Sequence, residues 1–349
     1  MPLPFKLSWR SIVIGGFLVI SLVLFIVEIT ALAPGFLDRW INDYDSYVRW
    51  GNAQRSSLDQ CSPQASNYYP MPSTLWIFIP LSLMPRWFVL VFMFAPLIFP
   101  LLLFKKAGAI TWLYYPMLVQ SGFGQIDGWL ILPLYWLVQD IRWLAGIGAV
   151  LVLFKPQLAI FTVGVMVIQW LVRRNWRNLG AFAITLAIVY IPSFFVCTTW
   201  PLEMLRVVGG RTTESNMATR GATLWAWVGH GDVTFWLLPI VALGTAALLV
   251  YVFVVRRQRA QAAQIFGLLT IPVLYVSSYV MLLPILKTRR HLIILTVISW
   301  VGVVIDTLAG GWGGAYVIIP ITALVLLARD PSALPDPAPQ NKLSAKVQR

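Results

Sequence analysis

The sequence predicts an all-α integral membrane protein, and three observations predict it. Hydrophobic residues make up 59% of the 349 positions and charged residues only 11%, with a mean hydropathy of +0.77. A water-facing domain carries roughly 25% charged residues, so this chain lacks the polar surface to cover one. Apolar runs recur along the whole length, many approaching the roughly 20 residues a helix needs to cross about 30 Å of hydrocarbon. Between them the basic residues fall in short clusters, the pattern of cytoplasmic loops. The net charge of +13 is spread over those clusters. It does not form the basic stripe that tracks a phosphate backbone, so nucleic acid is excluded as a partner. The 17 Trp, 12 Tyr and 19 Phe suit belts at the two membrane interfaces.

The first run spans residues 11–33, interrupted only by Glu28, and follows Lys6 and Arg10. It is too long for a signal peptide and no small-residue cleavage site follows, so it reads as a retained first helix. The positive-inside rule then places Lys105/Lys106, Arg142, Arg173/Arg174/Arg177, Arg256/Arg257/Arg259, Lys287/Arg289/Arg290 and Arg329 inside. Residues 34–71, the turns around Gln125, Lys155 and Ser277, residues 197–232 and residues 306–314 go outside. The expectation is about 10 to 12 crossings in a single domain, residues 1–330, with both termini cytoplasmic. Residues 126–138, 143–154 and 279–286 are short for independent crossings. They either thin the bilayer locally or form broken or re-entrant helices lining a polar cavity. Residues 72–104 are too long for one crossing, and Pro85, Arg86, Pro96 and Pro100 offer breaks. The Pro- and Lys-bearing residues 331–349 read as a disordered cytoplasmic tail. Two outer loops, about 34–71 and 197–232, are long enough to hold chemistry and interfacial helices.

Candidate chemistry collects at those outer positions. Asp43 and Asp45, in Asn42-Asp43-Tyr44-Asp45-Ser46-Tyr47, could supply a general base or bind a divalent cation. They could equally serve only the first turn of an interfacial helix. Gln125 and Asp127 interrupt an apolar stretch, where polar groups must find partners or line a cavity; the alternative is a plain tight turn at Gly122 and Gly124. Lys155 sits alone between two apolar runs beside Pro156, with no charge nearby in sequence. An intramembrane cation is a functional candidate by default, here for a phosphate, and the alternative is a side chain reaching to the interface. Arg211 and Arg220 could hold a phosphate at the membrane face, whereas the lone His230 reads first as structural. Cys61 and Cys197 lie in the two outer loops, and an oxidising compartment would allow them to pair. There is no Gly-rich nucleotide-binding loop and no cytoplasmic domain to hold one. A group transfer outside would therefore use a lipid-linked donor.

In this order the elements resemble the GT-C glycosyltransferases, and within them the bacterial family 87 of polyprenol-phosphate-sugar-dependent mannosyltransferases, over about residues 36–290. The segments that carry the resemblance are Asp43-Tyr44-Asp45-Ser46-Tyr47 with Trp50-Gly51-Asn52-Ala53, then Tyr69-Pro70-Met71-Pro72, Gly124-Gln125, Lys155-Pro156-Gln157, and the partly kept Val276-Ser277-Ser278-Tyr279. In the first of these Asp43 takes the place of the family's catalytic Asp, with Asp45 as the second candidate. The displaced second Pro after Tyr69 and the absent Pro of the late segment depart from the family pattern.

The resemblance implies a GT-C-type fold and an inverting transfer of a sugar, mannose first, to a lipid-linked or glycan acceptor. The reaction would take place on the extracytoplasmic face of a prokaryotic plasma membrane, within a cell-envelope pathway. It implies Asp43 as base, with Lys155, Arg211 and Arg220 on the donor phosphate. Tyr47, Tyr69, Gln125, Gln157 and His230 fall to the sugar or acceptor. No nucleotide, metal or other cofactor is required, and the partners are the polyprenyl-phosphate-sugar, the acceptor and membrane lipids. The alternative is a transporter or flippase for a lipid-linked or envelope precursor.

Overall fold

The computed structural model describes residues 42–56, 71–202, 221–227, 232–271, 274–286 and 288–330. The expected first crossing (11–33) and the tail (331–349) lie outside these residues, as do Tyr69, Cys61, Arg211, Arg220 and His230. Among the described residues every regular element is helical. Four stretches are long and apolar enough to cross a membrane: Phe88–Leu113, Trp176–Val196, Trp236–Val255 and Arg289–Leu308. Their outward faces carry large apolar side chains in the open, among them Ile184, Ile188, Phe195, Trp236, Ile240 and Leu243. That much continuous exposed apolar surface is what lipid contact requires and water forbids.

Phe88–Leu113 is not one straight rod. At Lys105 the backbone has φ 53°, and the chain doubles back so that Trp112 Nε1 donates to the Leu97 carbonyl at 3.0 Å. Similar positive-φ reversals occur at Asp140, Arg142, Arg174 and Arg257. A left-handed residue costs about 1–2 kcal/mol in an L-chain, and here it joins antiparallel passes with almost no loop. All these reversals fall at or beside the basic clusters expected on one side of the membrane. Asp140 secures that end: its Oδ1 accepts from Trp170 Nε1 at 2.8 Å and Asn178 Nδ2 at 2.7 Å.

Of the breaks expected between residues 72 and 104, the one at Pro85 and Arg86 is present, and the helix restarts at Phe88. Pro96 and Pro100 lie inside a continuous helical path, Pro96 within the 3-10 turn Ala95–Leu97. Tight i→i+3 winding tolerates the missing donor there. The segment expected in the first outer loop forms a polar helix, Asn42–Ser56, lying along Thr74–Leu83. Tyr47 stacks on Phe78 with ring centres 4.6 Å apart, and Gly51 meets the Phe78 backbone so closely that a Cβ would collide.

The segment expected to be a short crossing at 279–286 is instead a 3-10 helix, Val276–Ile285, buried from Ser277 to Ile285. Irregular backbone at membrane depth survives only where protein surrounds it. Tyr114 donates to the Tyr279 carbonyl at 3.0 Å, and Tyr279 donates to the Ala222 carbonyl. Residues 221–227, expected to close the second outer loop, are thus tied to this segment.

Candidate functional site

The site is built from four segments that meet at the end of the bundle opposite the basic reversals. The helix Tyr115–Phe123 ends in a Schellman-type cap: Gly124 adopts φ 64° and Gln125 N–H returns to the Gln120 carbonyl at 3.1 Å. Glycine suits this left-handed position, and a Cβ there would lie 3.0 Å from Tyr44 Cβ. The cap therefore seats the turn directly against the first-loop helix beside Asp43. Gln120 Nε2 adds a bond of 2.8 Å to the Gln125 carbonyl. The next turn, Ile126–Leu130, is a 3-10 helix that holds Asp127 wholly buried.

Lys155 stands at the break between Arg142–Val152 and Ile160–Val172, with Pro156 opening a short 3-10 turn. A residue before proline avoids helical geometry, so the lysine is held where two passes part. Ser73 Oγ donates to the neighbouring Phe154 carbonyl at 2.5 Å, and Tyr190 OH to the Leu153 carbonyl at 3.1 Å. Lys155 is itself buried. Its Nζ lies 2.5 Å from Asp127 Oδ1, and Ser278 Oγ donates to Asp127 Oδ2 at 2.9 Å. The cation that stands alone in sequence is paired in space. Both carboxylate oxygens of Asp127 are engaged, which is what keeps a buried ion pair tolerable.

The second arm joins Asp43 to the same segment. The Gly124 turn seats Gln125 close to the Asp43–Tyr44 end of the first helix, where its side chain favours the charged form of Asp43, and Ser277 Oγ donates to Gln125 Oε1. Burial pushes the Asp43 carboxyl above its ordinary range; the Gln125 side chain and the Lys155 charge pull it down, and Asp127 pushes it up. A carboxylate with raised pKa is a better proton acceptor than an exposed one. Asp45, two residues on, is exposed and stays out of this network.

The other expected site residues are placed differently. Tyr47 is buried in the aromatic cluster with Phe78, Trp50 and Phe92, where its ring serves packing. Gln157 is half-buried in the turn after Lys155. Cys197 is buried and disulfide-bonded; the chain's other cysteine, Cys61, lies outside the described residues. Among the described residues no group of three His, Cys, Asp or Glu side chains is arranged to hold a metal.

Sequence reasoning missed Ser277 and Ser278 as site residues, and Asp127 as the partner of Lys155. One signal was available. An acid and a base, each isolated in apolar sequence in neighbouring passes, each need a partner and satisfy one another. The serines carried no such signal, since a hydroxyl is tolerated almost anywhere. No protein-family model matches this chain, and neither the curated proteins nor the solved structures contain a match to it.

Proposed function

We propose that this chain is a membrane glycosyltransferase of the GT-C type, moving a sugar from a polyprenyl-phosphate donor to an acceptor hydroxyl. One observation carries the reading. Gln125, Lys155 and Ser277-Ser278 are held together by hydrogen bonds and an ion pair, and Asp43, from a fourth segment of the resemblance, lies against the same turn and feels the same charges.

In the reaction Asp43 accepts the acceptor's hydroxyl proton. The freed oxygen attacks the anomeric carbon, the bond from that carbon to the phosphate oxygen breaks, and polyprenyl phosphate leaves with inversion. Lys155, held by Asp127, supplies positive potential near the departing phosphate. Asp127 already balances much of that charge, so Arg211 and Arg220 are the natural further cations. A lipid phosphate is a good leaving group, and the mechanism needs no nucleotide.

A second reading, a transporter or flippase of a lipid-linked precursor, draws on the same buried Asp127–Lys155 pair, because ion pairs inside a bundle also mark transport paths. Membranes containing the protein are to be assayed for transfer of labelled mannose from polyprenyl-phosphate-mannose. Transfer is expected in wild type, and Asp43→Asn, normally inserted, should lower kcat by about 10²- to 10⁴-fold. Equal activity in the variant would move the base to Asp45 or elsewhere. Silence across a panel of lipid-linked sugars would favour the transporter.

A further inference from the structure

Gln125 is used twice. Its Oε1 accepts from Ser277, and, with Gly124 seated against Tyr44, its side chain also favours the charged form of Asp43. A primary amide has one acceptor oxygen and one donor nitrogen. With the oxygen committed to a hydroxyl, the nitrogen end is what meets the carboxylate, and Ser277 determines which way the amide faces. Asp127 is used in parallel: Oδ1 takes Lys155 and Oδ2 takes Ser278. Gln125 and Asp127 lie two residues apart on one turn. Ser277 and Ser278 are adjacent on one 3-10 segment, and both are fully buried.

We propose that Ser277 and Ser278 act together as a buckle that sets the spacing between the Asp43 carboxylate and the Lys155 ammonium, with Gln125 and Asp127 as its two arms. Gln125 is then a positioning residue for Asp43 and not a ligand for the sugar. The role of Asp43 as base rests on the proposed function; the buckle itself does not.

Among the described residues the groups that face Asp43 are few. Gln125, Lys155 and Asp127 act on it across the cluster, and its own helix carries Asp45, Arg49 and Arg55. The segments packed along that helix, 71–83 and 115–123, contain no Asp, Glu, Lys, Arg or His. Among the described residues, therefore, little else would compensate Asp43 for the loss of the Gln125 amide.

The test is an infrared titration of the Asp43 carboxyl in the purified full chain, its band assigned by its loss in D43N. S277A lets the amide turn away from the charged form and Q125L removes it, so each should raise the midpoint by about one pH unit. S277T keeps the hydroxyl and should titrate as wild type. Should S277A fail to insert, the near-isosteric weak donor S277C carries the test. In the transfer assay S277A should lower kcat and move its acid limb upward by the same amount, leaving the donor KM unchanged. A wild-type midpoint in a folded S277A or S277C overturns the buckle. A raised midpoint without transfer of any sugar would retain the buckle and sink the glycosyltransferase. Transfer that depends on Asp43, together with an unmoved midpoint, would retain the base and sink the buckle.

Discussion

The helix Trp176–Val196 and the segment Val276–Ile285 are both apolar enough to pass for membrane crossings, and they are buried in opposite ways. The first has only Asn178, Val189 and Ser193 buried along its length; the second is enclosed from Ser277 to its end. A helix against lipid must satisfy every backbone group within itself, so it is long and regular. A segment enclosed by protein can be short and tightly wound, because neighbours such as Tyr114 supply hydrogen bonds. Shortness in an apolar run here marks an interior strand of helix carrying the polar groups of the site.

The largest test of that contrast is the ion pair. Asp127→Asn leaves Lys155 buried without its counter-charge and should destabilise the protein by about 3–5 kcal/mol. The double variant Asp127→Asn/Lys155→Met should regain most of the loss. Thermal unfolding of the purified protein, followed by monodispersity, checks both, and a single variant as stable as wild type would break the contrast.

Next comes a pair of truncations. Leu282→Ala opens a cavity inside the protein and should cost about 2–5 kcal/mol. Ile240→Ala, on the exposed face of Trp236–Val255, leaves a gap that lipid fills and should change little in a bilayer. Equal losses at the two positions would mean that both face the same surroundings.

The smallest effect is at the turn. Gly124→Ala forces a Cβ into a left-handed residue against Tyr44, for about 1–2 kcal/mol. The same unfolding measurement reads it, and the displaced turn should weaken transfer more than this loss of stability alone explains.

Much of the fold was legible in the sequence. Composition and the spacing of Lys105, Arg142, Arg174 and Arg257 marked the reversals, because positive charge is expelled from hydrocarbon wherever it falls. Gln125 and Lys155 were legible too, since an amide and a base in apolar sequence each demand an explanation, and Asp43 stood out only as one of two carboxylates in a polar loop. The link between Lys155 and Asp127 was not legible, because pairing depends on how two passes lie side by side and not on local pattern. Nor was the winding of Val276–Ile285. Its residues are compatible with an ordinary helix, and only the enclosure by neighbouring passes allows 3-10 geometry. Gln125 was expected to touch a sugar, and its bond to Ser277 became visible only once residues from distant passes were brought together.

The cluster also has an order of assembly. Asp127 and Lys155 are separated by 28 residues, whereas Ser278 reaches Asp127 across 151 and Ser277 reaches Gln125 across 152. A chain made from its N-terminus can close the ion pair as soon as two neighbouring passes are in place. The hydroxyls arrive only after several more passes have been synthesised. A ribosome stalled before residue 276 would hold a paired but uncovered Asp127–Lys155 and an Asp43 with no fixed amide. The cluster stays incomplete until the late passes insert, so a half-made chain in the membrane would lack both serine hydroxyls.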